Sequence, residues 1–267
     1  MKGKPAGHEM DFFVQYFQVF LLILVRMFGM FVAAPFFSSG VIPLRIRAVT
    51  ALYITVCVFP MVAPKIGAVP ESMFSYALMI GSEALIGILI GFLMSIIFAA
   101  FQLAARFFSF QMALGISEVI DPVSQVGITM IGQLWVLMGI MVFIAIDGPH
   151  LLIMATYESY DSIRLFNIVQ GNRTMLQALV NMFGAMFVVA MKLAFPILIT
   201  LFLLVVTLGM LAKAAPQMNV FMVGFPIQIG VGLIIMIAVI GGIAFGMSNS
   251  LHRAFDELFR IIHALGR

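Results

Sequence analysis

The chain has 267 residues, 63% of them apolar and only 9% charged, with a mean hydropathy of +1.18. That balance is foreign to a soluble domain of this size and points to an integral membrane protein. The formal charge of +3 reflects few acids and no basic block, Cys57 is the single cysteine, and the four histidines lack metal-ligand spacing, which argues against nucleic acid, disulfide, metal and cofactor chemistry alike.

A helix needs about 20 residues to cross about 30 Å of hydrocarbon, and six apolar segments approach or exceed that length: 12 to 34, 48 to 63, 73 to 103, 128 to 147, 178 to 211 and 220 to 247. The first follows Lys2 and Lys4. It outruns the apolar core of a signal peptide, contains Arg26 and meets Pro35 after Ala33 and Ala34, so it is expected to be an uncleaved membrane helix. "PFFSSGVIPLRIR" (35 to 47) is a loop ending in the basic anchor Arg45 and Arg47.

The third segment carries Glu83 and "GILIG" (87 to 91), a G-x-x-x-G pattern that lets helix backbones approach closely; "GIAFG" (242 to 246) repeats it in the sixth. Arg26, Glu83 and Lys192 lie inside apolar runs, where each costs about 2.5 to 3.5 kcal/mol at the bilayer centre. They read either as an ion path or as staples between helices or subunits, and three separated charges of mixed sign fit staples better.

Residues 106 to 127, "RFFSFQMALGISEVIDPVSQVG", join the third and fourth segments and are too polar for lipid yet too apolar for a free loop. Two alternatives follow from composition: non-helical backbone buried in protein or lining a cavity, or a loop lying on the bilayer surface. "DGPHLLIMATYESYDSIRLFNIVQGNR" (147 to 173) alternates apolar and polar residues, as an interfacial or partner-covered helix does.

Pro196 is placed to kink the fifth segment. "AKAAPQMNVFMVGFPIQ" (212 to 228) then interrupts the apolar sequence with Lys213, Pro216, Gln217, Asn219, Phe221, Pro226 and Gln228, which suits either a hairpin tip or the broken helix of a carrier. From Ser248 to Arg267, Leu251, Ala254, Phe255, Leu258, Phe259, Ile262 and Leu265 share one helical face, so an amphipathic tail is expected to lie on a membrane or a partner. With six spans, Lys2, Lys4, Lys65, Arg164, Arg173, Arg253, Arg260 and Arg267 outnumber Arg45, Arg47, Arg106 and Lys213 on the opposite side, which favours cytoplasmic termini.

"PFFSSGVIPLRIR", Glu83 with "GILIGFL", "FQMALGISEVIDP" and above all "LAKAAPQMNVFMVGFPIQIGVGL" occur in an order that resembles the flagellar biosynthetic protein FliR family, the R-type subunits of the type III secretion export gate. The resemblance covers nearly the whole chain. It implies an all-α polytopic subunit, one unit over 1 to 267, built of helical hairpins and packed in a hetero-oligomeric gate. Its partners are then P-type and Q-type subunits together with the switch subunit of the export apparatus, and unfolded proteins pass through in transit. The implied location is the bacterial inner membrane at the flagellar basal body. The resemblance also implies that the 106 to 127 stretch plugs the channel. Phe107, Phe110, Gln111 and Met112 would form an adaptable seal, Gly115 and Pro122 its turns, and Glu118 and Asp121 its base. Residues 212 to 228 become a hairpin tip, with Pro216 and Pro226 keeping the flanking helices apart and Gln217 and Asn219 satisfying freed backbone groups.

A small-solute carrier using Arg26, Glu83 and Lys192 is the alternative, but no inverted repeat accompanies it. An enzyme is not expected, because the chain has no G-x-S-x-G, no H-E-x-x-H and no facing aspartate pair.

Overall fold

The computed structural model describes residues 6–38, 42–67, 69–70, 72–114, 130–162, 172–217 and 219–265. All regular structure among them is helical: α1 Ala6–Ala33, α2 Pro35–Ser38, α3 Leu44–Val62 followed by a 3-10 turn Ala63–Lys65, α4 Met73–Gln111, α5 Met130–Ala145, α6 Gly148–Ser162, α7 Asn172–Ala214 and α8 Val220–Leu265. Among the described residues, five helical stretches are long and apolar enough to cross a membrane: Phe13–Ala33, Leu44–Lys65, Met73–Gln111, Leu176–Ala214 and Met222–Ala264. The pair α5 and α6 makes a sixth if counted as one broken span.

Three of the helices are far longer than a bilayer requires. At 1.5 Å per residue, the 39 residues of α4, the 43 of α7 and the 46 of α8 extend roughly 58, 64 and 69 Å, about twice the hydrocarbon thickness. Local sequence permits this length. No proline falls within α4. The prolines at 196 and 226 lie inside α7 and α8, where each removes one backbone bond without ending the helix.

The chain divides into two compact units. One comprises residues 1–95, 147–181 and 254–267; the other comprises 96–146 and 182–253. In the first, α1 buries Val19, Leu22, Ile23, Met27, Met30 and Phe31, a stripe recurring every three or four residues. Ala51 of α3, Ile86 and Ile90 of α4, Leu152 and Ala155 of α6 and Leu258 of α8 complete that core. In the second, Phe98, Phe101, Ala104 and Phe108 of α4 form a comparable stripe, buried with Phe143 of α5 and with Ala190, Leu193, Ala194 and Ile197 of α7. Phe98 meets Phe143 edge-on, ring centroids 5.5 Å apart.

Two expected boundaries are corrected. The C-terminal tail is not a separate element, since α8 runs without a break from Val220 through Ser248 to Leu265. The polar triplet Ser248, Asn249, Ser250 does not interrupt it, because the Ser250 hydroxyl donates to the Gly246 carbonyl at 2.7 Å and satisfies itself within the helix. Likewise α4 continues eight residues past the expected end at 103, to Gln111, so Phe107, Phe110 and Gln111 are helical and not part of an irregular loop.

Candidate functional site

Arg26 sits in the middle of the apolar stripe of α1 and is 2% exposed; Glu83 of α4 is 8% exposed. The Arg26 Nε donates to Glu83 Oε2 at 2.5 Å, and its Nη1 donates to Ser159 Oγ of α6 at 3.0 Å. The guanidinium also lies over the Tyr160 ring, 4.1 Å from its centroid, and the Tyr160 hydroxyl donates to the Ile23 carbonyl at 3.3 Å. Charge, hydrogen bonds and ring face thus meet the cation from two helices, which is the condition under which a buried ion can persist.

The glycines of "GILIG" make that reach possible. Gly87 lies one turn beyond Glu83 on the same face of α4, and a Cβ there would collide with the Arg26 backbone carbonyl. At Gly91 a Cβ would come within 2.7 Å of the Met30 carbonyl, and at Gly29 of α1 within 2.8 Å of the Ala84 carbonyl. Backbone rests on backbone here, so the short Glu83 side chain can span the gap. The second motif differs: a Cβ on Gly246 would meet Leu193 at 2.9 Å, but Gly242 faces open space.

Lys192 is not joined to this cluster. It is exposed on α7, and among the described residues no carboxylate reaches it. Two further pairs tie α6 to its unit. Lys65 Nζ binds Asp161 Oδ2 at 2.5 Å and stands over the Tyr157 ring at 3.9 Å, while His263 of α8 lies 3.8 Å from Glu158.

The end of α4 is closed by a double hydrogen bond. The amide of Leu114 donates to the Ser109 carbonyl at 3.1 Å and that of Ala113 to the Phe110 carbonyl at 3.0 Å, with Ala113 in the left-handed region at φ 62°. This is the glycine-type helix stop, made here with alanine at a steric cost of about 1–2 kcal/mol. Phe107 is half-buried and Phe110 is 65% exposed, whereas Met112 is fully buried, its side chain lying 2.7 to 2.9 Å from where a Cβ on Gly232 would be. Phe108 packs on Trp135, centroids 4.7 Å apart, and the buried Trp135 Nε1 has no hydrogen-bond acceptor among the described residues. Gly115, Glu118, Asp121 and Pro122 lie outside the described residues.

At the turn between α7 and α8, Asn219 is the N-cap: its Oδ1 accepts from the Met222 amide at 3.3 Å, and its carbonyl accepts from the same amide at 3.1 Å. Lys213, Pro216, Gln217 and Asn219 are all exposed. Pro226 does not keep two helices apart, because α8 has already begun six residues earlier; the break depends on Pro216 and on the cap at Asn219. Phe221 lies in the first turn of α8.

Residues 17–254 match the family described as bacterial export proteins, family 1. The chain belongs to that family. It is similar to the flagellar biosynthetic protein FliR of Bacillus subtilis, 29% identical over 260 residues that cover 96% of this chain and 99% of the relative. The corresponding protein of Escherichia coli is 27% identical over 90% of this chain and 89% of its own length. That of Borreliella burgdorferi is 28% identical over 92% and 91%.

Within this export-family chain, sequence reasoning missed Ser159 and Tyr160, although both complete the Arg26 site. The available signal was the polar pair Thr156 and Ser159, three residues apart on one face of α6. Their partner is 133 positions away, so spacing alone could not connect them.

Proposed function

We propose that this chain is the R-type structural and gating subunit of a flagellar protein-export channel in the bacterial inner membrane. It works there with P-type and Q-type subunits and with the switch subunit, and it forms part of the portal through which unfolded flagellar proteins leave the cytoplasm. The family match over residues 17–254, with relatives named for flagellar biosynthesis, carries the reading. Helices twice the length of a span add support, since their apolar surface extends beyond what one bilayer can cover. In its most apolar stretch α4 buries 61% of positions, but α7 buries 28% and α8 only 11%.

In this reading the end of α4 and the residues after it seal the resting channel. A conduit for a polypeptide leaks ions unless its closure is apolar, yet that closure must yield to a passing chain. Two of the four residues assigned to the seal, Phe110 and Met112, have separate tasks. Phe110 supplies exposed apolar surface, and Met112 anchors the helix end against Gly232. A carrier using Arg26 and Glu83 has less support, because those charges neutralise one another in a packed core.

Replacing Phe110 with Ala removes exposed surface and leaves the core intact. Membrane conductance, or uptake of a normally excluded solute, should rise in cells making the assembled variant, with complex yield unchanged. Normal exclusion by a fully assembled F110A complex would remove the seal from this residue.

A further inference from the structure

We infer that the Lys192 face of α7 docks an apolar helix of another membrane subunit carrying one Asp or Glu at the matching height; the inference rests on the export-gate reading. Phe187, Val188, Met191, Phe195 and Ile199 surround Lys192 along α7 and are all exposed. Water does not suit such a surface, because it is continuous and apolar. Lipid does not suit it either, because of the ammonium group.

Nor can the lysine escape along its own helix. It lies 16 residues from one end of the apolar stretch Leu176–Ala214 and 22 from the other, roughly 24 and 33 Å, well beyond the reach of a lysine stem. No acid occurs between residues 182 and 253, so α7 and the first 34 residues of α8 offer no carboxylate. The unit's two acids, Glu118 and Asp121, lie outside the described residues. Among the described residues Lys192 therefore has no counter-charge, and it stands amid apolar side chains. An apolar helix with a single carboxylate satisfies both features, burying the side chains and pairing the charge.

The test compares K192M, K192E and K192R, made alone and together with the neighbouring membrane subunits, and reads both chain abundance in membranes and recovery of those subunits with the tagged chain. Made alone, K192M should accumulate to at least the wild-type level, since an unpaired ammonium has been removed. In the assembly its effect should reverse, with partner recovery falling about tenfold for K192M, further for K192E and least for K192R. A partner Asp or Glu changed to Lys should restore K192E. Wild-type recovery with K192M in both settings overturns the inference, as does a restoring change at Glu118, Asp121 or any other acid of this chain. Failure of the wild-type chain itself to recover other membrane subunits overturns the export-gate reading instead.

Discussion

In the unit built on α1, the cation Arg26 is met by Glu83, Ser159 and Tyr160, and the helices close until backbone touches backbone at Gly87. In the unit built on α5, Lys192 stands among exposed apolar side chains and no described carboxylate reaches it. Both charges interrupt apolar helices and look alike in sequence. What separates them is whether a described element of the same chain supplies the counter-charge: in the first region one does, and in the second none does.

The sharpest way to break this comparison is to make Arg26 resemble Lys192. Glu83→Ala strands a buried guanidinium and should cost about 3–5 kcal/mol, seen as lost protease resistance and a lower Tm in detergent. The double change Arg26→Met with Glu83→Leu should recover most of that loss, because an apolar pair needs no compensation. A double variant as unstable as the single one would mean that the pair does more than neutralise itself.

The two G-x-x-x-G motifs sharpen the same contrast at a smaller scale. Gly87→Ala drives a methyl onto the Arg26 carbonyl and should destabilise the isolated chain by about 1–3 kcal/mol. Gly242→Ala meets open space and should be neutral, or stabilising by up to about 1 kcal/mol, in the same thermal measurement. If Gly242→Ala weakens only the assembled complex, that face of α8 belongs to a neighbour.

Helix ends give the smallest effects. Asn219→Ala removes the cap of α8 and should cost about 1 kcal/mol, read as faster amide exchange in the first turn. Ala113→Gly relieves the left-handed alanine but frees the unfolded chain, leaving a net gain of roughly 0.5 kcal/mol and a slightly higher Tm.

Much of this architecture was legible in the residues because lipid demands long apolar runs, and those runs correspond to α1, α3, α4, α5, α7 and α8. Their ends were harder to place. Arg106, Ser109 and Gln111 suggested a loop, but a helix tolerates polar residues that point outward or bond internally, so α4 continues beneath them. Pro226 suggested a break, but an established helix tolerates one missing donor. The Arg26 site was half legible: its ions were visible as misfits in apolar sequence, while its geometry depended on helices 57 and 133 residues apart in the chain coming together. Pairing across that distance is a property of packing, and no local pattern encodes it.

Trp135 is the sole tryptophan in the chain, and it lies against Phe108, one turn before the stop at Ala113. Its indole N–H is enclosed and has no described acceptor. The protein therefore contains an optical probe at the foot of the segment proposed as the seal. Emission from this chain should be shifted to the blue while α4 is seated and should move to the red if its end lifts and water reaches the ring. Partner subunits engineered to lack tryptophan would make that signal specific, so a working channel could be followed without attaching any dye.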